Sequence, residues 1–586
     1  MKTAFKLFLA FGMAAVAQAK EYSVIDAGAV ADGKTDCTAA FQKALDEAAR
    51  QGGGIVNVPA GHYRIDGHLQ IPGGVTLQGV FRAPPSNRKD NQPQLNGSIL
   101  LAYAGRGKRE GEPFIRLTAS TAGIAGLIIT YPEWKQTDVP PVPYPPTVAV
   151  TEPFDNNFVI DCLFVNSYEA ISIQNAGRFL IRNVYGYPSF RGLYVDNCLD
   201  IGRVENVHFW PFGVAYNPGD PYCKWVNTNG VAFEFARTDW QYVTNTFCFG
   251  YGVGYKFSRS AKGACNGNFL GIGADCCVRP VLVEDLQDSG LLITNGEFVG
   301  MWGSKDSVGL EIAEKAAVGK VSLNNCSFWG PIDRCVWARS PWVQFTVMGT
   351  HFMTHDVAGR NAPALQIDAG KAIIQGNTFG DGDTHVQIGP KVRSAIIMGN
   401  QAVGGLRVDN QAGKRTQMVA NEESAFNWDA ATSAHYRLDI GTPGDRAYIR
   451  HCFGAERFPI GDRKDITMRW STGRTELRLP VLPGKKYTLS LDTHVPAPAI
   501  HSGNGLFLGD TRVLALPGEA YTGVLTGTIP ATDQNEVVLT FRVKEWQPRK
   551  VIKDSQDYRD LGIALFSITM KAEDATGDPV DVLASE

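Results

Sequence analysis

Val159-Ile160-Asp161-Cys162-Leu163-Phe164 recurs as Leu180-Ile181-Arg182-Asn183-Val184-Tyr185, as Gly202-Arg203-Val204-Glu205-Asn206-Val207, and as Tyr242-Val243-Thr244-Asn245-Thr246-Phe247. A weaker copy, Cys265-Asn266-Gly267-Asn268-Phe269, comes next, and later copies contain Asn295, Asn325, Gly349 and Gly376. The spacing is mostly 21 to 30 residues, with one gap of 39 between Asn206 and Asn245. Each copy is followed by a second short stretch with apolar residues two apart: Ile171/Ile173, Leu193/Val195, Val231/Phe233, Val253/Tyr255, Val281/Val283, Leu310/Ile312, Val336/Ala338, Leu365/Ile367. Period two is the signature of a strand with one face in and one face out. Several short strands per repeat, with no helix between them, predict a parallel β-helix in which Asn, Cys and Phe stack on themselves from coil to coil. A propeller blade needs ~40–50 residues, so the period argues against that rival.

Outward from the repeat, Asp26-Ala27-Gly28-Ala29-Val30-Ala31-Asp32-Gly33-Lys34-Thr35-Asp36 precedes a helix-like stretch, Thr38 to Arg50. Gly52-Gly53-Gly54-Ile55-Val56-Asn57-Val58-Pro59-Ala60-Gly61-His62-Tyr63 and Val75-Thr76-Leu77-Gln78-Gly79 follow. These stretches resemble the opening segment of the pectate-lyase-like superfamily of right-handed parallel β-helices, which includes rhamnogalacturonases, polygalacturonases and epimerases. The resemblance implies an all-β solenoid whose open end is capped by the N-terminal helix. It implies no particular reaction, because hydrolases, lyases, epimerases and adhesins share the fold. From Tyr436 onward strands alternate with turns, as in Tyr487-Thr488-Leu489-Ser490-Leu491 and Val537-Val538-Leu539-Thr540-Phe541. This predicts a β-sandwich (jelly roll), similar to galactose-binding-type modules, with either a carbohydrate-binding or a structural role. The expected organisation is a signal peptide over 1–19, the β-helix over 20–424 with a linker near Asn410 to Thr432, and the sandwich over 425–586.

Lys2 and Lys6, the apolar run Leu7 to Val16 and Ala17-Gln18-Ala19 have the order of a cleaved export signal, so a secreted or periplasmic location is expected. No stretch reaches the ~18 apolar residues of a membrane span. With 56 Lys+Arg against 59 Asp+Glu, the chain has no overall basic footprint for nucleic acid. Hydrophobic residues at 44% and charged residues at 20% exclude a disordered chain. The eleven cysteines are odd in number and lack ligand spacing, which favours buried thiols over a disulfide framework or a zinc site.

If the second strands form one sheet, two outward columns follow. The residues between the apolar pairs include Tyr194, Ala232, Gly254, Leu282, Glu311 and Trp337; those just after include Asp196, Glu234, Lys256, Glu284 and Arg339. Asp196, Glu234, Lys256 and Glu284 thus fall on successive coils ~4.8 Å apart. Paired carboxyls are what glycoside hydrolysis requires, ~5–5.5 Å apart for retention and ~6.5–9.5 Å for inversion. Asp196, Glu234 and Glu284 are the candidate acid, base or nucleophile, and Lys256 the group that tunes them. Tyr194, Trp225, Trp240, Glu311, Trp337 and Arg339 are the candidate sugar contacts, because flat indoles and phenols match the apolar CH faces of pyranoses. His208 beside Trp210 is the histidine to watch.

Asn227-Thr228-Asn229-Gly230-Val231-Ala232 resembles the polygalacturonase signature Asn-Thr-Asp-Gly-Ile-Asp, but Asn229 and Ala232 replace both aspartates, so that active site does not carry over. The first expectation is a glycoside hydrolase acting on an oligo- or polysaccharide held along the solenoid. The alternatives are a lyase using Lys256 or Arg339 as base, which leaves a conjugated, ultraviolet-absorbing product, and a non-catalytic glycan-binding protein. No cofactor is expected, and Asp381-Gly382-Asp383 is the one weak calcium candidate.

Overall fold

The computed structural model describes residues 21–84, 95–423, 433–442, 444–457, 459–460, 464, 466–555 and 557–583. The export signal expected over 1–19 and the domain boundary expected at 424/425 lie outside these residues. The first part is a parallel β-helix: 37 strands, from Tyr22–Ser23 to Thr416–Val419, pair in parallel with their counterparts one coil away. The helix α1 (Thr38–Arg50) buries Phe41, Ala44, Leu45 and Ala48 against the first coil. Phe41 meets Tyr63 edge-on at 5.3 Å, so the cap is hydrophobically sealed. Among the described residues no helix is long and apolar enough to cross a membrane.

The repeated Asn marks a corner. Asp161, Asn183, Asn206, Asn245, Asn295 and Asn325 all adopt a left-handed backbone with φ between 50° and 56°, and Gly271, Gly349, Gly376 and Gly399 take the same corner in other coils. Asn and Gly tolerate this region best, which is why the repeat reads as Asn or Gly there. Gly271 holds the corner in the weaker fifth copy, not Asn268. The Asn side chains stack: Asn183 donates to Asp161 at 2.8 Å, Asn206 to Asn183 at 2.8 Å and Asn325 to Asn295 at 2.9 Å. Inside, Phe298, Phe328, Phe352 and Phe379 stack at 5.0, 5.2 and 5.0 Å between successive centroids. All eleven cysteines are buried free thiols, and burial pushes Cys162 up to about 12.

The linker expected from Asn410 starts too early. Val408–Asn410 and Thr416–Val419 still pair with the preceding coil, because Met418 and Val419 continue its register. The remaining described strands are antiparallel apart from one short edge pair, His435–Asp439 with Val580–Asp581. The long strand Thr467–Pro480 pairs through Arg469 and Trp470 with Ala564–Ala572, and through Glu476 to Pro480 with Glu536–Arg542. It therefore joins two sheets around a separate core that includes Tyr436, Leu477, Leu489, Phe541 and Ile568.

Candidate functional site on the solenoid face

Seven strands, one per coil, build the face in question: β1 (Glu169–Gln174), β2 (Arg191–Asp196), β3 (Val231–Phe235), β4 (Val253–Phe257), β5 (Arg279–Val283), β6 (Val308–Ile312) and β7 (Arg334–Ala338). Their register corrects the expected columns. Leu193 pairs with Phe233 and Val195 with Phe235, so the inward pair of β3 is Phe233/Phe235 and that of β4 is Tyr255/Phe257. Val231 is apolar yet only half-buried at the start of its strand, which misled the period-two reading. The middle column is therefore Tyr194, Glu234, Lys256, Leu282, Glu311, Trp337. Ala232 is buried instead of outward. Asp196 and Glu284 belong to the next column along, flanking Glu234 and Lys256 diagonally.

The side chains nevertheless converge. Lys256 Nζ lies 3.5 Å from Glu234 Oε1 and 3.7 Å from Glu284 Oε1. On the other side of Glu234, Arg191 donates to Oε2 at 3.1 Å and also to Glu169 at 2.8 Å. Arg109, on the loop before Ile115–Leu117, completes the chain with a 3.1 Å bond to Glu169. Arg191 lies 4.0 Å over the Tyr194 ring. The Tyr194 hydroxyl donates to Asp196 at 3.3 Å, and Asp196 also accepts from Ser260 Oγ at 2.7 Å and Arg237 N at 3.1 Å. Lys315 approaches Glu284 at 3.9 Å. The cluster is an alternating ladder of charges on adjacent coils, where opposite signs relieve each other's desolvation.

Burial alone raises a carboxyl, yet at Glu234 the Lys256 and Arg191 charges outweigh it and hold the group below its ordinary range. Tyr194 moves up, first because it is half-buried and then because Asp196 and Glu234 are near, so its phenol keeps its proton. Glu234 is thus an ionised acceptor and Tyr194 a donor.

A second cluster lies along the same face beyond Leu282. Glu311, buried, is gripped by Arg279 and Arg339. Trp337 has Arg339 4.5 Å and Arg334 5.1 Å from its centroid, and its Nε1 donates to Asp368 at 2.7 Å. Trp225 sits on the helix α2 (Pro221–Asn229), just before β3, leaning on Phe190 and Tyr168 at 6.5 Å each. Trp240 occupies the turn after β3 with its own left-handed backbone, so the two tryptophans flank opposite ends of one strand. His208 is wedged between Trp210, Phe212 and Phe247, and burial lowers its basicity. It is a packing residue on a different strand row.

Sequence reading missed Glu169, Arg191, Arg109 and Lys315. Glu169 and Arg191 are the first residues of β1 and β2 and pair across coils. Reading the strand starts as a third column would have found them. Arg109 and Lys315 come from loops, where no periodicity announces them. The carboxylates of Asp381 and Asp383 are fully engaged. Arg446 donates to both at 2.6 and 2.7 Å, Arg469 also pairs with Asp381, and His451 N and Ala455 N take the remaining oxygens at 2.6 and 3.1 Å. This loop holds the C-terminal part, which is why two carboxylates face each other here. Among the described residues no group of three or more His, Cys, Asp or Glu could hold a metal ion.

Residues 22–120 match the family described as rhamnogalacturonase A/epimerase, pectate lyase-like. The opening segment is pectate-lyase-like. Alginate lyase 7 of Azotobacter vinelandii is 55% identical over 57 residues, which is 10% of this chain and 7% of that protein. Mannuronan C5-epimerase AlgE5 of the same organism is 53% identical over 67 residues, again 10% of this chain and 7% of the relative. The matches thus span under a tenth of these relatives' length. A family 28 exopolygalacturonase of Yersinia enterocolitica shares 13% identity over 70% of this chain and 79% of its own, with a TM-score of 0.37.

Proposed function

We propose that the protein hydrolyses a polysaccharide laid along the face of β1–β7, with Glu234 as base and Glu284 as acid. The observation that carries this reading is Lys256, whose ammonium touches both carboxylates. The two touching oxygens therefore lie no more than about 7 Å apart, a ceiling that admits the carboxyl pairs of glycosidic hydrolysis. Glu234, held ionised, takes the proton of a water attacking the anomeric carbon. Glu284, across Lys256 from Glu234, takes the acid role in this reading and gives a proton to the glycosidic oxygen as the C–O bond breaks. Arg109, Arg191, Lys256 and Lys315 are each paired with a carboxylate, and the more exposed of them, Arg109 and Lys315, are the groups that would meet an anionic substituent of the glycan. The names of the partial relatives, an alginate lyase and an epimerase of mannuronan, agree with a polysaccharide substrate, and the leader-like first 19 residues with an enzyme outside the cytoplasm.

Elimination is the second reading, favoured by these same cations, which suit a uronate carboxylate. Against it, Lys256 and Arg339 are both tied into ion pairs, and an arginine does not give up its proton in a protein. Incubating the full chain with neutral and uronate polysaccharides and reading reducing ends together with ultraviolet absorbance separates the two. Hydrolysis gives reducing ends without absorbance, and E234Q and E284Q each abolish them. Absorbing products establish elimination, and near-wild-type turnover in both variants ends the assignment of these carboxyls.

A further inference from the structure

Two histidines of the solenoid, His355 and His385, lie buried side by side where the C-terminal sheets dock, their rings 5.9 Å apart. The loop 353–364 that carries His355 is a seat for those sheets: the Phe453 ring closes on Gly359, where a Cβ would come within 2.6 Å of it. His355 itself packs on Gly382 so closely that no Cβ fits there. Gly382 stands between Asp381 and Asp383, the carboxylates that hold Arg446 and Arg469 of the C-terminal part. The two imidazoles are therefore built into the docking contact.

Both rings are set to be neutral. Neither ring nitrogen of His355 has a hydrogen-bond partner, although both are shut away from the surface. A proton added there would bury a charge with nothing to bond it. The nearby carboxylates, Asp381 and Asp383, are already spent on the arginines, and Arg446 and Arg407 oppose a further cation. His385 Nδ1 accepts from Arg407 N at 3.1 Å, so protonating that nitrogen breaks the bond. The Arg407 guanidinium lies 3.3 Å from Nε2 and is itself held by the carbonyls of Gly382, Asp383, Val403, Gly404 and Gly405. On the coil side, the Cys335 thiol donates to Thr354 O, and burial keeps it protonated.

The energetics follow the geometry. Burial lowers His355 to about 4, and burial, then Arg407, lowers His385 well below its ordinary value. From about pH 6.5 down to about pH 4, undocked histidines take up protons that the docked ones refuse, so docking weakens as pH falls. Asp356 titrates the other way. It accepts from Arg360 N at 2.8 Å and Asn361 N at 3.0 Å, and burial, with Asp333 and Asp383 nearby, pushes it up to about 7. It offsets one histidine and leaves the other.

We propose that this pair makes the joint an acid-released clasp: docking needs both rings neutral, and protonating them frees the C-terminal sheets from the solenoid. Release reaches the face of β1–β7 as well. Tyr558 donates to Ser304 O and Lys305 pairs with Asp560, which ties the loop 301–307 to the C-terminal part. Asp306 O in that loop accepts from Arg279, the residue that grips Glu311.

Calorimetry and small-angle scattering of the full chain at about pH 7.5 and about pH 5 test the clasp. The wild type is expected to melt about 4 °C or more lower at the acid pH and to scatter there as a longer particle. H355Q and H385Q should each recover part of the drop and the double variant most of it, whereas D356N should deepen it. Far-ultraviolet dichroism at neutral pH checks that each variant folds. Equal melting at both pH values, a full acid drop in the double variant, or an unchanged particle length in acid overturns the proposal. None of these readouts uses hydrolysis, so failure of the roles given to Glu234 and Glu284 leaves the test standing.

Discussion

Glu234 carries the proposed role of base. Its folded carboxyl sits below the ordinary value because Lys256 and Arg191 overcome the cost of burial. The sign follows: the stabilisation is fully present above the unfolded carboxylate range and is lost as pH falls through the lowered folded value. Acid titration of unfolding should therefore show E234Q losing less stability than the wild type between about pH 5 and the acid limit, and parallel curves would contradict this. In activity, E234Q is expected to lower kcat by about 10²-fold or more with little change in KM, as for loss of a general base. A matched rise in KM at unchanged kcat would make Glu234 a binding residue instead. Arg191 is different in kind, because it neutralises two carboxylates at once. R191A leaves Glu234 with Lys256 as its cation, and Glu169, nearly fully buried, with Arg109. It should cost about 3 kcal/mol in denaturant unfolding.

At the scale of elements, the coils are bound by repetition. Phe328 stacks between Phe298 and Phe352, fully buried, so F328A opens a cavity worth about 3–5 kcal/mol and should shift the urea midpoint accordingly. The buried ladder near the C-terminal end acts through hydrogen bonds. Asn400 accepts from Asn377 and donates to Asn421, at 2.9 Å each, and also donates to Ile374 O. N400A strands groups on both neighbours and should destabilise by about 2 kcal/mol, whereas replacement of an exposed corner Asn such as Asn206 by Gly keeps the left-handed backbone and should change little. Equal losses in the two variants would mean that the side-chain ladder, not the backbone corner, governs the exposed row as well.

Across the whole molecule, the solenoid and the C-terminal sheets are locked by a buried ion network. Arg446 and Arg469, both almost inaccessible, meet Asp381 and Asp383 from the solenoid and Asp445 from their own side. Burial opposes the charge on Asp381, but the two guanidiniums hold its carboxyl far below the ordinary range. Breaking one member of such a set is costly, about 3–5 kcal/mol, because the partners remain buried and charged. D381N should therefore lower the melting temperature, with the solenoid and the C-terminal sheets unfolding in two separate calorimetric transitions where the wild type is expected to show one. A single transition at the wild-type temperature would show that docking rests elsewhere, on contacts such as Tyr558 with Ser304 and Lys305 with Asp560.

Periodicity in the sequence was enough to determine the solenoid and the stacked Asn and Phe rows, because each coil repeats one local solution and its signal adds with every copy; the capping helix came from the resemblance of the opening segment. It also reached Tyr194, Asp196, Glu234, Lys256 and Glu284 as neighbours, although through a register that was wrong at Val231 and Val253. Only the tertiary structure set that register, since an apolar residue at a strand start looks like a core residue until its cross-coil partner, Arg191 or Arg279, is known. Only the folded chain brought Arg109 to Glu169 across 60 residues, and Arg446 to Asp381 across 65. Loop-borne charges have no period, and the energy that places them comes from partners distant in sequence, which no local pattern encodes.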